Sequence, residues 1–412
     1  MKLRVLLANT YHFRGGGDST YTFNLAELLR SRGHEVAFFA MQDRRNIGDP
    51  NSDLFVTQID FRELNRHKTV LAGVKVLGRS VYSIEARRKF RLIVERVRPD
   101  VVHLQNIHAH ITPSIIFEAR QRGVPVVWTL HDYNLVCPNS HFLVDSSGER
   151  CEACGSGAYY MAAIRRCKKG SFRASAMSSL EAYAHRMMRV RERVDAFLTP
   201  SGFLRDKLLQ RGFPARRVHH LPLFVPDETF RAGGDHRGYF LFFGRLEPIK
   251  GIRPLLEACR MSPDVRLMMA GQVGEQLAGE LADLPPNVEY LGMKFGEELR
   301  ALVDGAQAVV VPSLWYENQP FSILEAFALG KPVVASDLGG MTELVGDGRR
   351  GLLVAPGEAR AIAEAMRWMA RHPEEARRMG EEGRAYAMQV HGAEPHYAAL
   401  MRVYKEAIGT VN

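Results

Sequence analysis

A chain of 412 residues is too long for one ordinary core and suits two domains of roughly 150–220 residues each. Its apolar share of 46% and charged share of 25% are those of a globular protein, and no apolar run approaches the ~18 residues of a membrane span. The net charge of +9 hides an asymmetry: residues 1–225 hold 35 Lys and Arg against 20 Asp and Glu, and residues 226–412 hold 20 against 26. A basic half suits an anionic partner (a membrane surface, a phosphate-bearing lipid or nucleic acid) or is a solvated face with no partner.

The N-terminal apolar run in MKLRVLLANTYHF is too short for a signal-peptide core and reads as a first buried strand, LRVLLAN. The expected compartment is therefore the cytosol. TYHFRGGGDS is a turn-rich loop. TYTFNLAELLRSRG has helical spacing at Phe23, Ala26 and Leu29 and a stop at Gly33; HEVAFFAM is the next strand. PDVVHLQ (99–105) and VPVVWTLH (124–131) are further strands, with helices before each. Such alternation predicts an α/β fold with a doubly wound parallel sheet.

A second series follows LPLFVPDETF. GYFLFFGRL, VRLMMAG, NVEYLG, AQAVVVPS and PVVASD read as strands; IRPLLEAC and FSILEAFALG read as helices. Pro222 and Pro226 bracket a short linker, so the predicted domains are 1–225 and 226–390. An amphipathic helix in EPHYAALMRVYKEAI closes the chain as a segment 391–412 that packs back on the first domain.

In open α/β sheets, ligands bind beyond the carboxyl ends of the strands. Gly15-Gly16-Gly17 follows the first strand and precedes a helix; it either lets backbone approach an anion or makes a tight turn. His131-Asp132 follows VPVVWTL, and His131 is a site histidine or a hydrogen-bonded structural one. GRLEPIKG places Arg245 and Lys250 on one loop, as a diphosphate clamp or as two surface cations. In ENQPFSILEAFALGKPVVAS, Ser322-Ile-Leu-Glu325 reads as a capping box, a sufficient structural reason for Glu325. No cap explains Glu317, in the loop before that helix. Both carboxylates beside the amides of Phe321 and Ser322 would suit a nucleotide sugar.

Taken together, the Gly-rich first loop, GHEV, DVVHLQ, the His-Asp pair, GRLEPIKG, the E-x7-E stretch and GLLVAPGE run in the order found in family 4 retaining glycosyltransferases of the GT-B fold, which this chain resembles over nearly its whole length. The resemblance implies two Rossmann-like domains facing across a cleft, the first on the acceptor side and the second binding the donor. It implies that Arg245 and Lys250 bind the donor diphosphate, Glu325 the ribose and Glu317 the transferred sugar. His131 would lie by the reacting sugar, with Gly16 and Gly17 near the phosphates. Asn318-Gln319-Pro320 stands where glycines often do in that family. The implied partners are a nucleotide-diphosphate sugar, a glycan or lipid-linked acceptor and an anionic membrane surface, with no nucleic acid. The implied place is the inner face of the cell membrane, in cell-surface polysaccharide or glycolipid synthesis, with no metal needed for catalysis. A sugar-nucleotide epimerase of the same fold and a non-catalytic nucleotide-sugar-binding protein are the alternatives.

Cys137, Cys151, Cys154 and Cys167 sit in a loop-rich insert, 137–170. Four cysteines around a C-x2-C pair suit a structural zinc; reduced unligated thiols and a redox or iron–sulfur role are the other readings. Cys259 is a buried-thiol candidate. The arginines at 186, 189, 191 and 193 and the segment RRCKKGSFR (165–173) concentrate the positive charge, and the spacing of Arg186, Arg189 and Arg193 suits one helical face.

Overall fold

The computed structural model describes residues 1–58, 78–79, 81–108, 110–230 and 236–411. The chain divides into two compact units. The first is Met1–Pro200 with Leu204–Leu221 and Tyr397–Asn412; the second is Pro222–His396 with Ser201–Phe203.

Unit 1 contains β1 (Arg4–Ala8), α1 (Gly17–Ser31), β2 (Glu35–Phe39), α2 (Ile84–Val97), β3 (Val101–Leu104), α3 (Ser114–Gln121) and β4 (Val126–Thr129). A small β-hairpin of β5 (Leu143–Val144) and β6 (Glu149–Arg150) follows, then α4 (Tyr160–Ile164), α5 (Phe172–Met187), β7 (Ala196–Thr199), α6 (Gly202–Gln210, in this unit from Leu204 on) and β8 (Val218–His220). The main sheet runs β2-β1-β3-β4-β7-β8, every pair parallel. Its central strands are near-continuous apolar runs because both faces are covered.

His103 is the polar exception on β3. It is fully buried, with Thr129 Oγ1 2.7 Å from Nε2 and Tyr404 Oη 2.7 Å from Nδ1. The tyrosine comes from the other end of the sequence.

Unit 2 contains β9 (Tyr239–Phe243), α7 (Ile252–Met261), β10 (Arg266–Ala270), β11 (Val288–Tyr290), α8 (Gly296–Gly305), β12 (Ala306–Val311), α9 (Phe321–Ala328), β13 (Val333–Ser336), α10 (Gly340–Val345), β14 (Gly351–Val354), α11 (Ala359–Arg371) and α12 (Pro373–His391). Its sheet runs β11-β10-β9-β12-β13-β14, again all parallel. Counted from β9 this is the order 3-2-1-4-5-6, whose direction reverses between β9 and β12. The core lies where α7 and α11 cover one face of the sheet, with Leu255, Cys259, Leu267, Ile362 and Met366 fully buried.

α13 (Ala393–Val411) begins after Gly392, and its buried Leu400, Tyr404 and Ala407 belong to unit 1. Strands β7, β8 and β14 go unplaced in the sequence reading. All three are three or four residues long.

Candidate active site

A doubly wound sheet binds its ligand at the switch point, where the strand order reverses. In unit 2 that point is framed by the loops after β9 and β12, and they hold each other. Leu314 N–H donates to Ile249 O at 2.8 Å. Gly251 has φ 74°, and a Cβ there would lie 1.9 Å from Pro312 O. Only glycine permits both the left-handed backbone and that approach.

The contact brings Lys250 to Glu317. Lys250 Nζ is 2.5 Å from Glu317 Oε1. Ser313 Oγ donates to the same oxygen at 2.8 Å, and Trp315 Nε1 at 2.9 Å. The Glu317 side chain is 7% exposed and that of Lys250 19%. Three donors on one oxygen fix the carboxylate, and the Trp315 ring, 5.4 Å from Nζ, steadies the ammonium. Ser313 and Trp315 escaped the sequence reading; their position directly after β12 was the available signal.

Arg245 has a different environment. Its side chain is 58% exposed and pairs with Glu247 at 2.9 Å. The loop after β9 thus presents one cation anchored on Glu317 and one extended into solvent.

The capping box at Ser322 is corrected by the structure. α9 starts at Phe321 with Pro320 as its N-cap and no side-chain cap. Proline sets φ at −71° with extended ψ, so the helix begins one residue before Ser322. Ser322 already has helical dihedrals and cannot cap. Glu325 therefore has no capping duty. It is half-buried, and burial pushes its carboxyl up to about 7, with Arg300 pulling the other way. Phe321 and Ser322 supply the first two amides of α9, which no preceding helical turn can satisfy.

The Asn318-Gln319 departure also has a physical reason. Both side chains are buried. Ser201 Oγ donates to Asn318 Oδ1 at 2.5 Å, and Leu223 N–H donates to Gln319 Oε1 at 2.5 Å. The amides tie this loop to the start of unit 2, where glycines would leave it free.

In unit 1 the order reverses between β1 and β3, and the glycine loop follows β1. Gly16 is the N-cap of α1 and Gly17 its first residue. The Gly15 and Gly16 amides donate to Ser19 Oγ at 3.2 and 3.1 Å. His131, after β4, donates from Nε2 to Gln105 Oε1 at 2.8 Å and lies edge-on to Tyr21. Burial lowers its pKa, against the opposing charges of Asp18 and Asp132, and keeps the ring neutral. Behind it, His108 Nε2 is 3.6 Å from Asp132 Oδ1. Gln105 and His108 follow β3 and were within reach of the same strand-end reasoning.

The four insert cysteines are free thiols. Cys154 and Cys167 pack with Val144, Tyr159 and Ala162. Burial first, and neighbouring thiols second, push them up to about 11 and 12. Cys137 is also raised by burial, against backbone amides from Asn139 to Phe142 that pull it down. The thiols feel one another, yet among the described residues no group of three or more His, Cys, Asp or Glu is placed to hold a metal ion.

The shared arginine face is also corrected. α5 ends at Met187, Arg189 has φ 55° and Arg193 lies in a separate 3-10 turn with its guanidinium over Phe117. Arg191 turns inward to Leu135 O and Tyr159 Oη.

Two family profiles match the chain. The one described as Glycosyltransferase Family 4 covers residues 15–229, and the one described as Glycosyl transferases group 1 covers residues 229–386.

The chain belongs to glycosyltransferase family 4.

Among relatives of this family 4 chain is the MMP alpha-(1->4)-mannosyltransferase of Mycolicibacterium hassiacum, 31% identical over 54% of this chain and 57% of the relative. The chain spans about half the length of the first curated relatives it matches. Among solved structures, sucrose-phosphate synthase from Thermosynechococcus elongatus superposes with TM-score 0.72 at 19% identity, covering 99% of this chain and 100% of that one. The Anabaena HepE protein, in complex with UDP and glucose, gives 0.67 at 16% identity over 98% and 99%. These likenesses establish the GT-B fold of two parallel-sheet α/β domains. Both the glycine loop and the cysteine insert fall within the Family 4 match, and the whole E-x7-E stretch falls within the second.

Proposed function

We propose that this family 4 chain is a retaining glycosyltransferase. It moves a sugar from a nucleotide-diphosphate sugar to a glycan or lipid-linked acceptor, in synthesis of a cell-surface polysaccharide or glycolipid. The observation that carries the reading is the Lys250–Glu317 pair, held by Ser313 and Trp315 at the switch point of unit 2. A buried carboxylate fixed by three donors is a positioned group, and the same loop contact brings a cation beside it.

An ammonium has three N–H donors, and Glu317 uses one. The other two are available to diphosphate oxygens, joined by the exposed guanidinium of Arg245. The amides of Phe321 and Ser322 and the positive end of α9 add to the phosphate field. Glu325, when ionised, accepts from ribose hydroxyls. Gly16 and Gly17 allow backbone near the phosphates, and neutral His131 stands by the reacting sugar. No side chain is assigned as general base. The leaving phosphate takes the acceptor proton on the face it departs from, so configuration is retained. Catalysis then rests on leaving-group charge stabilisation and positioning. Support for a nucleotide-sugar donor comes from HepE, whose structures hold UDP with glucose and UDP-glucose.

The net +15 of residues 1–225 supports work at an anionic surface from the cytoplasmic side, as a peripheral protein. No helix among the described residues is long and apolar enough to cross a membrane. The cysteine insert takes no step in the reaction; its proposed role is structural, with zinc as the ion four thiolates would hold.

The test is a thermal-shift screen of UDP, GDP, ADP and their sugars. A ligand at ~100 times its Kd adds about 2.7 kcal/mol. The active donor is then incubated with and without acceptor glycolipid, and the product's anomeric configuration is read by NMR. No stabilisation by any nucleotide overturns the reading. Conversion of the sugar nucleotide without acceptor makes the protein an epimerase, and inverted product overturns retention.

A further inference from the structure

Helix α5 wears its polarity inside out. Its buried positions are Ser175, Ser178, Ser179 and His185. Three of its large apolar residues face solvent: Phe172 is 58% exposed, Leu180 54% and Met187 78%. At about 3.6 residues per turn, positions 172, 180 and 187 fall within about 80° of one another. The neighbouring α4 buries Ala162 but also exposes Tyr160 at 54% and Ile164 at 63%, one helical turn apart. The two helices pack together through the rings of Tyr159 and Tyr183, 5.1 Å apart.

The inward polar residues are accounted for. Lys168 donates from its backbone to Ser175 Oγ and from Nζ to Ser178 Oγ, both at 2.9 Å, and Ser179 Oγ donates to Tyr159 O at 2.8 Å. Those bonds fix which side of α5 turns in, and so force its apolar side out. Exposed apolar side chains on adjoining helices mark an interaction surface.

Charge selects the occupant. The stretch 160–189 holds seven Lys and Arg and one acid. Arg165, Arg166, Lys169, Arg173, Arg186 and Arg189 are exposed. A second copy docked face to face would set these cations against their own images. Aromatic and aliphatic side chains rimmed by Lys and Arg are the composition of an interfacial anchor.

We infer that the outer face of α4 and α5 docks on an anionic lipid bilayer, with Tyr160, Ile164, Phe172, Leu180 and Met187 entering the headgroup boundary and the surrounding cations meeting the phosphates. The inference rests on the reading of the chain as an enzyme at an anionic surface, and names the part that touches it. The cysteine insert thereby serves as the platform that presents the anchor.

The experiment is co-sedimentation of the whole chain with vesicles of phosphatidylcholine alone and of phosphatidylcholine mixed with phosphatidylglycerol. The wild type binds the mixed vesicles, and more weakly as salt rises. Ile164→Ser with Phe172→Ser and Met187→Ser lowers partition by about tenfold or more at every salt concentration. Lys169→Gln with Arg173→Gln removes much of the salt-sensitive part and leaves the apolar part. Circular dichroism confirms that each variant is folded, and Met187→Ser alone gives a graded check. Undiminished binding by the apolar variant overturns the inference, as does equal binding to both vesicle types. Concentration-dependent self-association that the apolar variant abolishes assigns the face to a second copy and overturns it as well. Nucleotide-induced thermal stabilisation, measured on the same preparations, fails only if the donor reading fails, so the two results stay separate.

Discussion

Lys250 Nζ lies 2.5 Å from Glu317 Oε1, although 67 positions separate the two residues. Each comes from a loop at the carboxyl end of a different strand, and their meeting depends on β9 and β12 being neighbours in the sheet. The pair is mostly buried, so removal of either partner leaves the other charge without compensation.

Lys250→Ala and Glu317→Gln are each expected to cut turnover by roughly 10- to 1000-fold. Each is also expected to destabilise the protein by on the order of 2–4 kcal/mol. The double variant should lose less than the sum of the two, because the second change removes the charge stranded by the first. A double-mutant cycle in chemical denaturation and in steady-state rates checks this. Strict additivity in both would mean that the contact carries no coupling.

Arg245→Ala should behave differently. Its side chain is exposed and its pairing partner is Glu247 on the same loop, so stability should change by about 0.5 kcal/mol or less. Turnover should still fall about tenfold or more, because the lost guanidinium serves the leaving diphosphate. An active enzyme with unchanged kinetics removes Arg245 from the donor site.

Glu325 sets a pH dependence. Its carboxyl sits at about 7 in the fold against an ordinary 4.5. Below about 4.5 both folded and unfolded chains hold the proton, and the group contributes no slope. Between 4.5 and 7 the unfolded chain releases a proton that the folded chain keeps, so stability falls as pH rises. Donor affinity should move the other way, strengthening as pH rises through about 7, since ribose hydroxyls donate to the ionised form. Calorimetry in buffers of different ionisation enthalpy should detect proton release on nucleotide binding, and Glu325→Gln should flatten both trends. A wild-type affinity independent of pH from 6 to 8 or so would detach Glu325 from the ribose.

The insert cysteines allow a direct measurement. With Cys154 and Cys167 held near 11 and 12 as free thiols, thiolate is scarce at neutral pH and alkylation should be slow. A bound dication reverses that preference, because it stabilises thiolate outright. The zinc proposal expects about one equivalent by elemental analysis, and slow release of four thiols when a chelator is added. Protein purified without chelator that carries no metal, with all four thiols titrating at once in denaturant, removes it. Donor binding should survive chelation, as Arg245, Lys250, Glu317 and Glu325 lie in the other unit from the insert.

The alternation of strands and helices is legible in the sequence alone, because strands covered on both faces must be apolar runs. So are the residues that follow those strands, and that is why Gly16, His131, Arg245, Lys250 and Glu317 could be named. Three things waited for the tertiary structure. The strand order brought Lys250 onto Glu317, a pairing of loops that no local pattern encodes. The backbone at Pro320 started α9 early, which stripped Glu325 of a capping role that the Ser-x-x-Glu spacing had suggested. The packing of α5 turned Ser175, Ser178 and Ser179 inward and Phe172, Leu180 and Met187 outward, where composition alone would have buried the apolar residues. The common reason is physical. Periodicity and spacing report the local preferences of a stretch, while the neighbour it packs against is chosen by contacts distant in the chain, and those decide which polar groups are satisfied and which faces are left for a partner.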